Sequence, residues 1–280
     1  MIIYAIMAEV SIAQLDMAGI VPGLLMMAAF MLVILLAALI SPKRAPKLST
    51  LYSWSERIRG LTAVLPVLFL LGMVMGTIYA GVATPTEAAG FGSVGAFLLA
   101  LLKGRVNRRM LSETFLATAS TTSMVLLVVV SAFLLQFVLS LGGVPAAISN
   151  WIAGLGLSQI ELILIIALIY IALGMFMESM AMIVCTLPIL LPILHAAQVD
   201  LVWFGVLAVI LVELSLITPP VGMNLFVMHG LRARMDGPRA GPLTEIFASS
   251  VPFVVAMLAV LGLIIAYPQI ATGILANMKQ

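Results

Sequence analysis

Residues 201–229 run LVWFGVLAVILVELSLITPPVGMNLFVMH, an apolar stretch long enough to cross a bilayer but cut by Thr218-Pro219-Pro220-Val221-Gly222. Two adjacent prolines remove two backbone donors, and the glycine two residues on permits an irregular turn. At the surface of a soluble protein, water would satisfy the freed carbonyls. Hydrocarbon offers no partner, so such backbone must face protein or a water-filled cavity. The economical reading is a discontinuous membrane helix over 201–230. Secondary transporters use that device to hold ions and solutes near the midplane, so the segment points to transport.

Composition supports the membrane setting. The chain is 64% hydrophobic and only 9% charged, with a mean hydropathy of +1.27, far from the average of globular domains. The fold class that follows is an all-α polytopic membrane protein, read as one integral unit over 1–280. The net charge of +2 says little, but its distribution says more. Lys43, Arg44, Lys47, Arg57 and Arg59 form one basic cluster. Lys103, Arg105, Arg108 and Arg109 form a second, and Arg232, Arg234 and Arg239 a third, leaving only Lys279 outside them. By the positive-inside rule all three clusters are cytoplasmic, and nucleic-acid binding is not needed to explain them. A lone Cys185 excludes an internal disulfide and a cysteine metal cluster. No cleavable signal peptide is evident after Met1.

Along the chain, spans are expected over 17–40, 61–80 and 87–102, with an interfacial stretch at 110–119 and a crossing at 121–140. Trp151 fits an interfacial anchor. Residues 160–195 run inward to Glu178-Ser179 and back, through Pro188 and Pro192. The loops flanking this segment carry no Lys or Arg, so both ends can lie on the outer face, making it a re-entrant hairpin. Two separate spans would instead put the third basic cluster outside. The broken helix then delivers that cluster to the cytoplasm, and 250–268 cross outward, which gives about seven membrane segments by the bilayer-length criterion.

A weak internal echo accompanies this topology. Met1-Ile-Ile-Tyr-Ala-Ile-Met leads to Val21-Pro22 and a long span, and Met223-Asn-Leu-Phe-Val-Met-His leads to Val251-Pro252 and another. The two copies run in opposite senses, an inverted repeat of the kind found in ion-coupled transporters. By this correspondence the sequence is expected to begin in the middle of a broken helix.

Few residues carry chemistry. Glu178 is an acid at membrane depth, which is costly and by default functional. With Ser179 and the hairpin-tip carbonyls it supplies hard oxygen ligands for a small cation; the bland alternative is a solvated tip residue. Thr218 offers a hydroxyl beside unpaired carbonyls, or else bonds back onto its own helix at a simple proline kink. Gly222 and Asn224 open the following half-helix, whose free N–H groups suit a substrate carboxylate. Glu213 is either a relay or a packing acid and is left outside the site. Thr84-Pro85-Thr86-Glu87 has capping-box spacing and reads as structural. The GxGxxG match at 90–95 lacks a preceding strand and reads as small residues for close helix packing. His195 and His229 fit no metal-ligand spacing and flank span ends. No hydrolase motif is present, so the chain is not read as an enzyme.

Taken together, GVATPTEAAG (81–90), LGMFMESMAMIVCTLPILLPI (173–193), VDLVWFGV (199–206) and ITPPVGMNLFV (217–227) resemble the large membrane subunit of the tripartite ATP-independent periplasmic (TRAP) transporters. MIIYAIMAEVSI (1–12) and AGIVPGLL (18–25) resemble its mid-chain segment. The resemblance implies an elevator-type importer of organic acids, C4-dicarboxylates or related carboxylates, in the bacterial inner membrane. Sodium would be the coupling ion, with no resident cofactor. The partners implied are a small membrane subunit and a periplasmic substrate-binding protein. Glu178 maps to the hairpin-tip acid, where members often carry Asp, and Thr218 to the second broken-helix threonine. Glu178, Ser179 and Thr218 are thus the expected ion ligands, and Gly222 and Asn224 the expected substrate contacts. The family's N-terminal half, with the other half-site, has no counterpart in these 280 residues. A non-transporting remnant or assembly subunit, or another inverted-repeat anion carrier, is the alternative expectation.

Overall fold

A computed structural model of the chain describes residues 1–40, 53–236 and 241–276. Lys43, Arg44, Lys47, Arg239 and Lys279, which entered the charge argument, lie outside the described residues. In chain order the helices are α1 (Ile2–Met7), α2 (Ile12–Ala18), α3 (Ile20–Ile40), α4 (Trp54–Tyr79), α5 (Pro85–Leu102), α6 (Arg108–Leu141) and α7 (Val144–Gly154). They continue as α8 (Gln159–Gly174), α9 (Ser179–Ala196), α10 (Leu201–Leu216), α11 (Met223–Asp236), α12 (Leu243–Ala266) and α13 (Gln269–Ala276). No strand occurs among the described residues. Among the described residues five helical stretches are long and apolar enough to cross a membrane: 12–40, 85–102, 108–141, 179–196 and 243–266. A sixth is α4 if its two arms, bent by 42°, form one span, and α8 and α10 are shorter apolar helices. The bend in α4 falls where Pro66 removes the N–H that would bond to Thr62. Leu24, Met31, Leu35 and Leu39 all stand exposed on α3. Apolar surface on that scale needs lipid around it, and the chain is a multi-pass membrane protein.

Contacts group the chain into two compact units, Met1–Ser41 with Leu127–Gln280, and Pro42–Leu126. In the second, α4 and α5 pack side by side. Thr84 caps α5 in a full capping box: its hydroxyl accepts from the Glu87 N–H at 3.4 Å, and the Glu87 carboxylate accepts from the Thr84 N–H at 2.8 Å. The structural reading of this motif holds. The small residues of the 90–95 motif also serve packing, since a Cβ on Gly92 would lie 2.7 Å from Val74 and one on Gly95 would meet Met73 and Leu70. One expectation fails here. Residues 110–119 do not lie apart from 121–140, because α6 is a single helix of 34 residues.

The first unit holds the hairpin and the broken helix. A capping box of Ser158 and Glu161 starts α8, and α9 returns beside it. The Tyr170 and Thr186 hydroxyls, 16 residues apart in sequence, meet at 2.7 Å. At the other end of the pair, Leu162 and Ile193 line one cavity of about 340 Å³. The helices α8 and α9 thus fold back on each other through a turn at 175–178. Beneath them α10 is buried along most of its length and apolar but for Glu213 and Ser215, as a helix in a protein core inside lipid should largely be. Tyr4 donates to the Leu201 carbonyl at 2.7 Å, tying α1 to the start of α10, and the Trp203 indole donates to the Ile264 carbonyl of α12 at 3.2 Å. The span expected at 250–268 begins earlier, at Leu243, so Pro252 is interior rather than opening. An ion pair of 3.0 Å between Arg232 and Glu245 holds those added first turns against α11.

Candidate functional site

The residues expected to form a site lie at two helix breaks. At the first, α8 stops at Gly174, and the Phe176 and Met177 N–H groups both turn back onto the Leu173 carbonyl, at 2.9 and 3.0 Å. Glu178 follows as the N-cap of α9, its backbone extended at φ −70° and ψ 148°. One carboxylate oxygen accepts from the Ala181 N–H at 3.2 Å, and the other accepts from the Ser179 hydroxyl at 3.0 Å. Glu178 and Ser179 are thus brought together at the tip, with Glu178 exposed. The carboxylate has a local structural task, which the sequence reading missed. An acid three residues before the N–H it caps is an ordinary N-cap pattern and was there to be found.

At the second break, α10 ends at Leu216, and Pro219–Pro220 form a cis peptide before α11 begins at Met223. The Ile217 and Thr218 N–H groups reach only the Leu214 and Ser215 carbonyls, at 3.3 and 3.2 Å. Thr218 donates its hydroxyl to the Leu214 carbonyl at 2.6 Å. That bond uses the proton and leaves the oxygen lone pairs free to accept or to bind a cation. Gly222 has φ +42°, a left-handed conformation that a side chain would strain. A Cβ there would also come within 3.1 Å of the Thr218 carbonyl oxygen, so Thr218 and Gly222 face each other across a tight turn. Asn224 is exposed in the first turn of α11, where the N–H groups have no partner inside the helix.

The two breaks abut. Gly174 is buried, and a Cβ built on it would overlap the Cβ and Oγ of Ser215 and lie 3.2 Å from the Met182 sulfur. Ser215 is itself fully buried, and its hydroxyl donates to the Val212 carbonyl at 2.6 Å. The contact stands four residues before Glu178 on one strand of chain and three before Thr218 on the other. No hydrogen bond among those described joins Glu178 directly to Thr218. Neither Gly174 nor Ser215 was singled out from the sequence, because a glycine ending a helix and a serine in an apolar run carry no signal without the packing partner. Glu213 is exposed on α10. His195 lies in the last turn of α9 with its Nδ1 2.9 Å from the Leu191 carbonyl, and no group of three metal-ligating side chains gathers among the described residues.

Comparison with known proteins bears on what such a site does. Residues 1–270 match the family described as "Tripartite ATP-independent periplasmic transporter, DctM component". The C4-dicarboxylate TRAP transporter large permease protein DctM of Pseudomonas aeruginosa is 32% identical over 277 residues, covering 98% of this chain and 62% of the relative. Its counterpart in Rhodobacter capsulatus is 32% identical over 273 residues, covering 95% and 59%. The sialic acid TRAP transporter large permease protein SiaM of Vibrio cholerae is 29% identical over 272 residues, covering 96% and 61%. The chain therefore spans about three fifths of the length of these relatives, all of which are named as permeases rather than enzymes.

Proposed function

The chain belongs to the DctM family of tripartite ATP-independent periplasmic transporters, and from that premise we propose that it carries one ion-and-substrate half-site of a sodium-driven importer of organic acids. The observation that carries the reading is the abutment of the two breaks through Gly174 and Ser215. From that contact the exposed Glu178 carboxylate lies four residues on along one segment, and the Thr218 hydroxyl three residues on along the other. Glu178, Ser179 and Thr218 are the proposed ligands of the coupling ion. The Glu178 carboxylate accepts from the Ser179 hydroxyl and the Ala181 N–H, and as an anion with about four lone-pair sites it can also take a cation. Gly222 and Asn224 open α11, where a substrate carboxylate would meet the positive end of the helix dipole. The substrate class is proposed from the relatives named for C4-dicarboxylates. A small membrane subunit and a periplasmic binding protein complete the proposed system in the bacterial inner membrane. Residues 1–280 would serve it as one membrane unit that moves substrate by an elevator step.

The test is uptake of radiolabelled succinate into proteoliposomes that contain the small subunit and binding protein of the Pseudomonas aeruginosa system. One sample carries this chain, and another carries a chimera in which it replaces the matching region of that system's large permease. Sodium-dependent uptake by the chimera is the expected result. A chimera that assembles with its partners yet moves no substrate with or without sodium would favour an assembly subunit instead.

A further inference from the structure

We propose that Gly174 and Ser215 form a joint that sets the register between the hairpin tip and the broken helix, so that their side-chain size, and not their polarity, tunes the proposed cation site. This rests on the site reading above and adds two positioning residues to it. Gly174 is the last residue of α8, and its missing side chain leaves room for three elements to meet: α8 itself, Met182 of α9 and Ser215 of α10. A methyl group at Gly174 would occupy the same space as the Ser215 Cβ and Oγ. Neither neighbour can give way easily. Met182 and Ser215 are fully buried, and Ser215 is held along its own helix by its bond to the Val212 carbonyl. In the proposed joint, the displacement is taken up by sliding the hairpin tip along α10. Glu178 follows four residues after the joint on one side, and the Thr218 N–H bonds to the Ser215 carbonyl on the other. A slide at the joint therefore changes the spacing between the two groups proposed to share an ion. In preorganised sites a misplacement of about 1 Å can cost roughly 100-fold in rate, so a smaller slip is still measurable.

The experiment uses four variants in the chimera: Gly174→Ala, Gly174→Ala/Ser215→Gly, Gly174→Ala/Ser215→Ala, and Gly92→Ala as a close-packed glycine in the other unit. Gly174→Ala should raise the sodium concentration for half-maximal uptake by roughly tenfold, in keeping with that sensitivity. Ser215→Gly in the same chain should return it to near wild type, because it clears the space the new methyl needs. Ser215→Ala should not, because the Cβ overlap remains. Gly92→Ala should lower heat stability and leave sodium dependence alone. A second readout needs no transport: the rate at which a water-soluble maleimide labels Met177→Cys in a Cys185→Ser background. Labelling should change with Gly174→Ala and be restored by Ser215→Gly. The joint is overturned if Gly174→Ala alters protein amount or heat stability but neither readout, or if Ser215→Gly restores neither. Labelling restored by Ser215→Gly, in a chimera whose uptake shows no sodium dependence even without substitutions, would keep the joint and remove the cation site.

Discussion

Glu178 does two things that substitution can separate. Its carboxylate caps α9 through the Ala181 N–H, and it is the one charged group proposed as an ion ligand. Glutamine keeps an oxygen for the cap and removes the charge, whereas alanine removes both. An N-cap lost to alanine costs about 1 kcal/mol of stability, so Glu178→Ala should show that loss in thermal or denaturant unfolding, with Glu178→Gln losing less. Transport should rank them differently. A carboxylate in a low dielectric attracts a cation more strongly than a neutral oxygen does. Glu178→Gln should therefore raise the sodium requirement for uptake more than Thr218→Val, which removes only a hydroxyl already donating to Leu214. His195→Ala, at the far end of α9, should change neither. Wild-type sodium dependence in Glu178→Gln would reduce Glu178 to a helix cap.

The arms of the hairpin share a part-buried polar contact, the hydroxyl pair of Tyr170 and Thr186 at 2.7 Å, with Thr186 also bonded to the Met182 carbonyl at 2.8 Å. Hydrogen bonds between membrane helices contribute about 0.6 kcal/mol on average, with a maximum near roughly 1.7. Tyr170→Phe keeps the ring in its buried position and removes only the bond. It should lower unfolding stability within that range, and a loss well above it would mean the hydroxyl holds more than the hairpin. The turn between α8 and α9 was legible in the sequence because Glu178 and Ser179 interrupt an apolar run, whereas Pro188 and Pro192 lie inside α9 without breaking it. The continuity of α6 was not. Ser112, Glu113, Thr114 and Thr118 look like a polar interfacial stretch, but the Arg109–Glu113 pair at 2.7 Å spans one helical turn, the i,i+4 spacing that supports a helix in water. The early start of α12 was hidden for a related reason. Glu245 reads as a loop acid until Arg232 is seen beside it, 13 residues away in sequence.

Orientation in the bilayer is where sequence and structure supply complementary halves of one argument. The structure gives the back-folded hairpin and, in the same unit, α3 packed along α12, with Phe30 edge-on to Phe253 at a centroid distance of 5.4 Å. The short α13, which follows α12, packs on α2, which precedes α3, so α3 and α12 run in opposite senses. That is the relation expected of the two spans that echo each other in sequence, though Pro22 lies in the first turn of its helix and Pro252 in the interior of its own. Neither observation says which end faces the cytoplasm, because helix packing is the same whichever way the bundle is inserted, and that sign comes from the basic clusters alone. A folded-back hairpin returns its second end to the side it left, so α10 and α11 together must cross once to carry Arg232 and Arg234 inside. Phosphatase or fluorescent reporters fused at Lys47, Arg105 and Arg234 should all read cytoplasmic, and one at Asp200 should read periplasmic. Asp200 is the discriminating position. It caps α10 through the Val202 and Trp203 N–H groups at 2.8 and 2.9 Å, so an insertion should follow Gln198 to leave the cap intact. A cytoplasmic reading there, with Arg234 also cytoplasmic, would mean that the hairpin enters from the inside and that α10 and α11 do not cross together. The proposed ion site would then open to the wrong face for a periplasmic binding protein to load it.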